Sequence, residues 1–281
     1  MMRKMNCILI IILLIKFRIY KPRKLDLSNE IIIKINGTGT QKILNSAYIY
    51  KPDQILLDGN KVNVNEENKI LISENKENII TMKWNNKLTS CTSMFENLNN
   101  IIEVDLTKFD SSDVKMMNSM FKGCTNLKNI IINKTFDSSK VENMSYMFYS
   151  CKSLLSLDLS SFKTSLVSNL SFFLSNCILL ISLDLSRFDT SSVNDMNSMF
   201  YNCISLQSLN LSNFDTSKVI NIAYLFFNCF SLTSLDISNF NTSSSKFMIQ
   251  MFSNCYSLTS LNLSTFNTKF VMSMLSMFQN C

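Results

Sequence analysis

Two rows of residues recur with enough regularity to suggest chemistry. The first is cysteine, at positions 124, 151, 177, 203, 229, 255 and 281, spaced 27 and then repeatedly 26 apart. The second is acidic or amide, at Asp105, Asp158, Asp184, Asn210, Asp236 and Asn262, with Ser156, Ser182, Ser208, Ser234 and Ser260 two residues ahead of the last five. A thiol row invites disulfides or a metal site, and a carboxylate row invites a cation or a polar ligand. No C-x-x-C occurs, so a zinc site would need ligands from separate repeats. In-register cysteines have parallel Cβ vectors, whereas a disulfide needs convergent ones, so the row is expected to hold buried free thiols. The acidic row lacks the glycine-rich turns of repeat calcium sites. No metal or cofactor ligands are therefore assigned.

Composition removes most catalytic chemistry. The 281 residues contain no His, which excludes Ser-His-Asp, Cys-His and H-E-x-x-H arrangements, and only four Gly, which leaves little for phosphate loops. No acid/base pair stands apart from the repeat columns, so no catalytic residue is assigned and no enzyme is expected. The formal charge of +6 is concentrated in the leader. Seven of the 27 Lys and Arg fall within residues 1–24, and the remaining 20 face 21 acids, a net of −1. Nucleic acid is not an expected partner.

The elements that position these rows repeat with the same period. Met120-Phe121, Met147-Phe148, Met199-Phe200, Met251-Phe252 and Met277-Phe278 each precede a cysteine, and Met94-Phe95 before Leu98 marks an earlier copy. Leu180-x-x-Leu183-x-Leu185 and its equivalents follow it, with a period-2 tail that predicts a strand. The series Val193, Met196, Met199, Phe200, Cys203, Leu206 predicts a short helix or 3₁₀ turn with one buried face, capped by the preceding Asp/Thr/Ser cluster. The expected fold class is an α/β solenoid, a leucine-rich-repeat-like stack of strand plus short helix units of 26 residues. It would occupy residues 91–281 as about seven to eight units, with one extra residue between Ile132 and Phe136 as a turn bulge. The Phe109, Phe136, Phe162, Phe188, Phe214, Phe240 and Phe266 column should form an internal aromatic spine.

Residues 25–90 break the rule. Ile-rich runs alternate with turns at Asn36-Gly37, Asp58-Gly59 and Glu66-Glu67-Asn68, which predicts a small β-rich N-terminal capping module. Residues 1–24 carry a basic start and an apolar run from Cys7 to Ile15, then Lys16 and Arg18. A secretory signal, a short membrane anchor and an accident of an Ile-rich chain all remain open. The chain stops on Cys281 without a matching cap, so the expectation is either a longer array or an end covered by a partner, including end-to-end self-association.

Written from Ser156-Leu157-Asp158-Leu159-Ser160-Ser161-Phe162 and Asp189-Thr190-Ser191-Ser192-Val193-Asn194-Asp195-Met196, continuing to Cys203, the unit resembles the 26-residue bacterial surface protein repeat of the BspA-like leucine-rich-repeat proteins. The likeness covers about residues 94–281. Phe173-Leu174 and Leu225-Phe226 depart from the Met-Phe pattern. The resemblance implies a secreted or surface-displayed, non-catalytic protein that binds a protein or glycan. The Asp/Asn and Ser columns on the concave sheet are the candidate face. An intracellular interaction scaffold, or a fragment of a protein whose activity lies beyond residue 281, are the alternatives.

Overall fold

The computed structural model describes residues 29–73 and 76–281; the expected signal or anchor over residues 1–24 lies outside them. Among the described residues there are ten strands: β1 (Glu30–Ile35), β2 (Gly39–Lys42), β3 (Gln54–Leu57), β4 (Asn60–Lys61), β5 (Lys69–Ile72), β6 (Asn78–Lys83), β7 (Ile101–Asp105), β8 (Asn129–Ile131), β9 (Ser182–Asp184) and β10 (Ser208–Asn210). One six-stranded sheet has the order β4-β3-β6-β1-β7-β8, and β9-β10 and β2-β5 form two small sheets. Alternation of Ile31, Ile33 and Ile35 inward drives β1, and antiparallel β6 lies on one side of it and β7 on the other. β1 thus occupies an edge of the first repeat strand, with Lys34 on β1 paired to Glu103 on β7 at 2.7 Å.

The expected α/β solenoid of strand plus short helix units is overturned. Among the described residues there is no helix, and regular strand is confined to these small sheets. The segment read as helical is a row of turns, and its backbone hydrogen bonds explain why. In the unit containing Cys203, Met199 N–H reaches Met196 O and Tyr201 N–H reaches Ser198 O within the unit. Ser198, Phe200 and Asn202 instead donate to Ala223, Leu225 and Phe227 of the next unit. Ser198 (φ 55°) and Asn202 (φ 58°) sit in the left-handed region, and equivalent residues do so in each unit. A right-handed helix cannot continue through such residues. Half of the peptide groups are then turned outward to a neighbour, which satisfies them as fully as a helix would.

Each 26-residue unit therefore forms a rung, joined to the next by parallel bridges that run Ser90, Met116, Asn143, Asn169, Asp195, Asn221, Phe247, Ser273. Side chains complete the joints. Thr190 donates to Asp215 O at 2.9 Å and accepts Asp215 N–H at 2.8 Å, and Thr216 does the same with Asn241. Asn202, Asn228, Asn254 and Asn280 each donate to the amide oxygen of the Asn one rung earlier. Gly123 stands in this column at φ 73°, where a Cβ would lie 2.2 Å from Asn97 Oδ1, so a larger residue requires the Asn97 side chain to turn away, as it does beneath the Asn residues of later rungs.

The core is a set of apolar columns. Phe109, Phe136, Phe162, Phe188, Phe214 and Phe240 are buried, whereas Phe266 is only partly so. A second aromatic column, from the Met-Phe slot, is more regular: Phe200 stacks on Phe226 and Phe226 on Phe252, both at 5.6 Å. Cysteines 91 to 255 in the described chain are buried free thiols, and Cys281 is free and exposed. Cys203 Sγ–H donates to Leu174 O at 3.2 Å, one rung back, and every repeat cysteine makes the equivalent bond. Burial pushes the Cys203 thiol up to about 12.

Candidate functional site

Ser156, Asp158, Ser182, Asp184, Ser208, Asn210, Ser234 and Asp236 are exposed and, with leucines 157, 183 and 209, line one open groove of about 660 Å³. The register of β9 and β10 sets Ser182 beside Ser208 and Asp184 beside Asn210. Period-2 alternation turns these side chains outward, while Leu183 is buried and Leu157 and Leu209 are half-buried. Regular sheet exists in the groove only at β9-β10; Ser156–Asp158 and Ser234–Asp236 are not in strands. Three of the expected residues stand apart. Asp105 is half-buried on β7 in the six-stranded sheet, separated from the groove by exposed Ile131. Ser260 and Asn262 continue the exposed columns beyond the groove's last lining residue, Asp236.

The Asp/Asn column has a local role that its spacing did not announce. Asp158 Oδ1 accepts Ser160 N–H at 2.9 Å, Asp184 accepts Ser186 N–H at 2.9 Å, Asn210 accepts Ser212 N–H at 3.1 Å and Asp236 accepts Ser238 N–H at 3.0 Å. Each is an Asx turn, in which a carboxylate and an amide oxygen are equivalent acceptors. That equivalence lets Asn stand for Asp at 210 and 262. Bonds from Ser160 hold the Asp158 carboxyl below its ordinary value, and those from Ser186 and Ser238 do the same for Asp184 and Asp236. In each residue one side-chain oxygen is committed to the turn, and Asn210 also bonds to the Asp184 carboxylate beside it. The groove thus presents carboxylate and amide acceptors together with hydroxyl and amide donors, groups able to hydrogen-bond.

A second depression, of about 510 Å³, lies two residues along the chain and is lined by Lys134, Ser160, Ser161, Phe162, Lys163 and Arg187. Sequence reasoning passed over it. Two signals stood in plain view: the single 27-residue interval that contains Lys134, and the only arginine beyond residue 24. Among the described residues no group of three or more His, Cys, Asp or Glu is placed to hold a metal ion, and no helix is long and apolar enough to cross a membrane.

The described residues form a repeat protein, a ladder of turns with an open polar groove. The family described as Mycoplasma protein of unknown function, DUF285, matches residues 89–208 and again 177–281, and the chain belongs to it. No curated protein and no solved structure matches the chain.

Proposed function

We propose that the chain is a non-catalytic binding protein that takes a protein or glycan partner along the Ser/Asp/Asn groove and is displayed at or outside the cell surface. The observation that carries the reading is the groove itself, in which four successive rungs hold equivalent polar side chains outward with no internal ion pair to saturate them. Resemblance of the unit to the BspA-like surface protein repeat supports the location. Asp158, Asp184 and Asp236 are the residues to probe. Their triple change to Asn retains the turn acceptors and removes the charge, and Ser182→Trp with Ser208→Trp fills the groove. Both variants should fold normally. The filled variant should lose binding of labelled chain to a glycan array and to purified cell-surface proteins; equal binding by the filled variant overturns the reading.

A second reading is an intracellular interaction scaffold, with which the unpaired cysteine column is equally compatible because its in-register geometry disfavours bridging in either compartment. Protease shaving of intact cells that express the tagged chain separates the two. Released protein with a processed N-terminus supports display, and a protected protein retaining Met1 supports the scaffold.

A further inference from the structure

The cationic depression beside the groove is where the regularity of the ladder fails, and it fails in a consistent direction. Lys134 lies in the one extra residue's turn, which Asn133 shapes by donating to Thr107 O at 2.6 Å and accepting Thr135 N–H at 3.0 Å. Arg187 is the only arginine among the described residues. The turns closed by Phe136 N–H to Asn133 O, Phe162 N–H to Leu159 O and Phe188 N–H to Leu185 O align Ser161 and Arg187 with Thr135, and the bulged turn sets Lys134 one residue ahead of that column. Lys134, Ser161 and Arg187 nevertheless line the same depression. Lys163 enters from the side and is steadied by Asp137 at 3.1 Å. Neither Lys134 nor Arg187 forms a direct salt bridge among the described residues, in contrast to Lys34, Lys83, Lys87, Lys122 and Lys140, although Arg187 lies near enough to Asp184 to help lower its carboxyl.

We propose that this depression binds the sulfate or carboxylate group of an acidic glycan, whose sugar body lies along the adjoining groove; the second half rests on the groove reading above. A guanidinium fork matches a planar or tetrahedral oxyanion with two parallel N–H bonds, Lys134 and Lys163 add charge, and Ser161 adds a hydroxyl donor. Asp158 and Ser160 are two residues apart and line the groove and the depression respectively, so one ligand spans both. Sugar hydroxyls pair with the serine and Asx oxygens. The chain outside the leader has a net charge of −1, so the cluster is a local site and not part of a broad basic surface of the kind nucleic acids require.

The test is calorimetric titration of the full chain with three hexasaccharides: a heparin-derived sulfated one, its desulfated counterpart that keeps the carboxylates, and a neutral chitin fragment. Wild type should bind an acidic sugar at least tenfold more tightly than the neutral one. Preference for the sulfated sugar alone identifies sulfate as the recognised group, and equal preference for both acidic sugars identifies carboxylate. Arg187→Gln with Lys134→Gln should erase the preference and leave neutral-sugar binding and the urea midpoint unchanged. Equal wild-type affinity for all three, no binding to any, or a preference that survives the double Gln change overturns the proposal. Retained acidic-sugar affinity in Ser182→Trp/Ser208→Trp, together with loss in the Gln pair, keeps the anion site and removes the groove from it.

Discussion

The module of β1 to β6 and the ladder that follows it solve the same problem by different means. In the module, backbone groups pair mainly with backbone groups: β1 lies between β6 and β7, and side chains such as Ile33 and Ile80 are left to fill the core. In the ladder, many backbone groups are satisfied by side chains. Thr190 and Thr216 bridge rungs, Asp and Asn oxygens close turns, and thiols cap carbonyls. The lesson is that buried polarity recurs at every rung of the ladder, whereas in the module it is confined to single joints such as Asn29 and Asn68.

The largest expected effect tests the part the regions share. Phe226→Ala removes a fully buried ring stacked on both sides and should lower stability by about 3–5 kcal/mol in a urea titration. Next comes the contrast itself. Thr190→Val leaves Asp215 N–H and O without their partner and should cost about 1–3 kcal/mol, largely restored by Thr190→Ser. Thr81→Val, on half-buried β6, should stay within about 0.5 kcal/mol. Equal costs at the two threonines would break the comparison.

A kinetic test follows. A maleimide reagent, with modified peptides mapped by mass, should label Cys281 in the native protein and the buried column only on unfolding, because burial raises those thiols and hides them. The smallest effect is an acid one. Asp158, Asp184 and Asp236 have folded values below the ordinary 3.8, so the stability they contribute is fully present above that value and is lost as pH falls through the folded values. Asp195, raised by burial, works in the opposite sense. Changing the three groove residues to Asn should flatten stability against pH below about 4, with little change at neutrality.

The 26-residue period, the buried Leu, Phe and Cys columns and the outward Ser/Asp columns were legible because each follows from composition at a fixed step. The helix was not. Steps of 3, 3, 1, 3 and 3 from Val193 to Leu206 suit one face of a helix and a row of turns equally well, and the deciding hydrogen bonds run to residues about 25 positions away. The left-handed residues carry a local hint in Asn176, Asn202, Asn228 and Asn254, since Asn tolerates that conformation; Tyr146, Phe172 and Tyr224 conceal it, being bulky residues that seldom adopt it. Of the face, eight residues meet in the groove. Asp105 does not, because pairing of β7 with β1 draws it into a different sheet.

The bonds between rungs also have a direction. From Ser198, Phe200 and Asn202 in one rung, and from their equivalents in the others, N–H groups point toward the following rung and its carbonyls point back; only single bonds such as Asn194 N–H to Ser168 O run the other way. Peptide dipoles of about 3.5 D aligned in this manner add instead of cancelling, as they do along a helix and do not in most sheets. The ladder is accordingly an electrical dipole along its own axis, with its positive pole toward Cys281 and its negative pole toward the β module. Its rotation in a pulsed electric field should show a permanent moment that grows with the number of rungs.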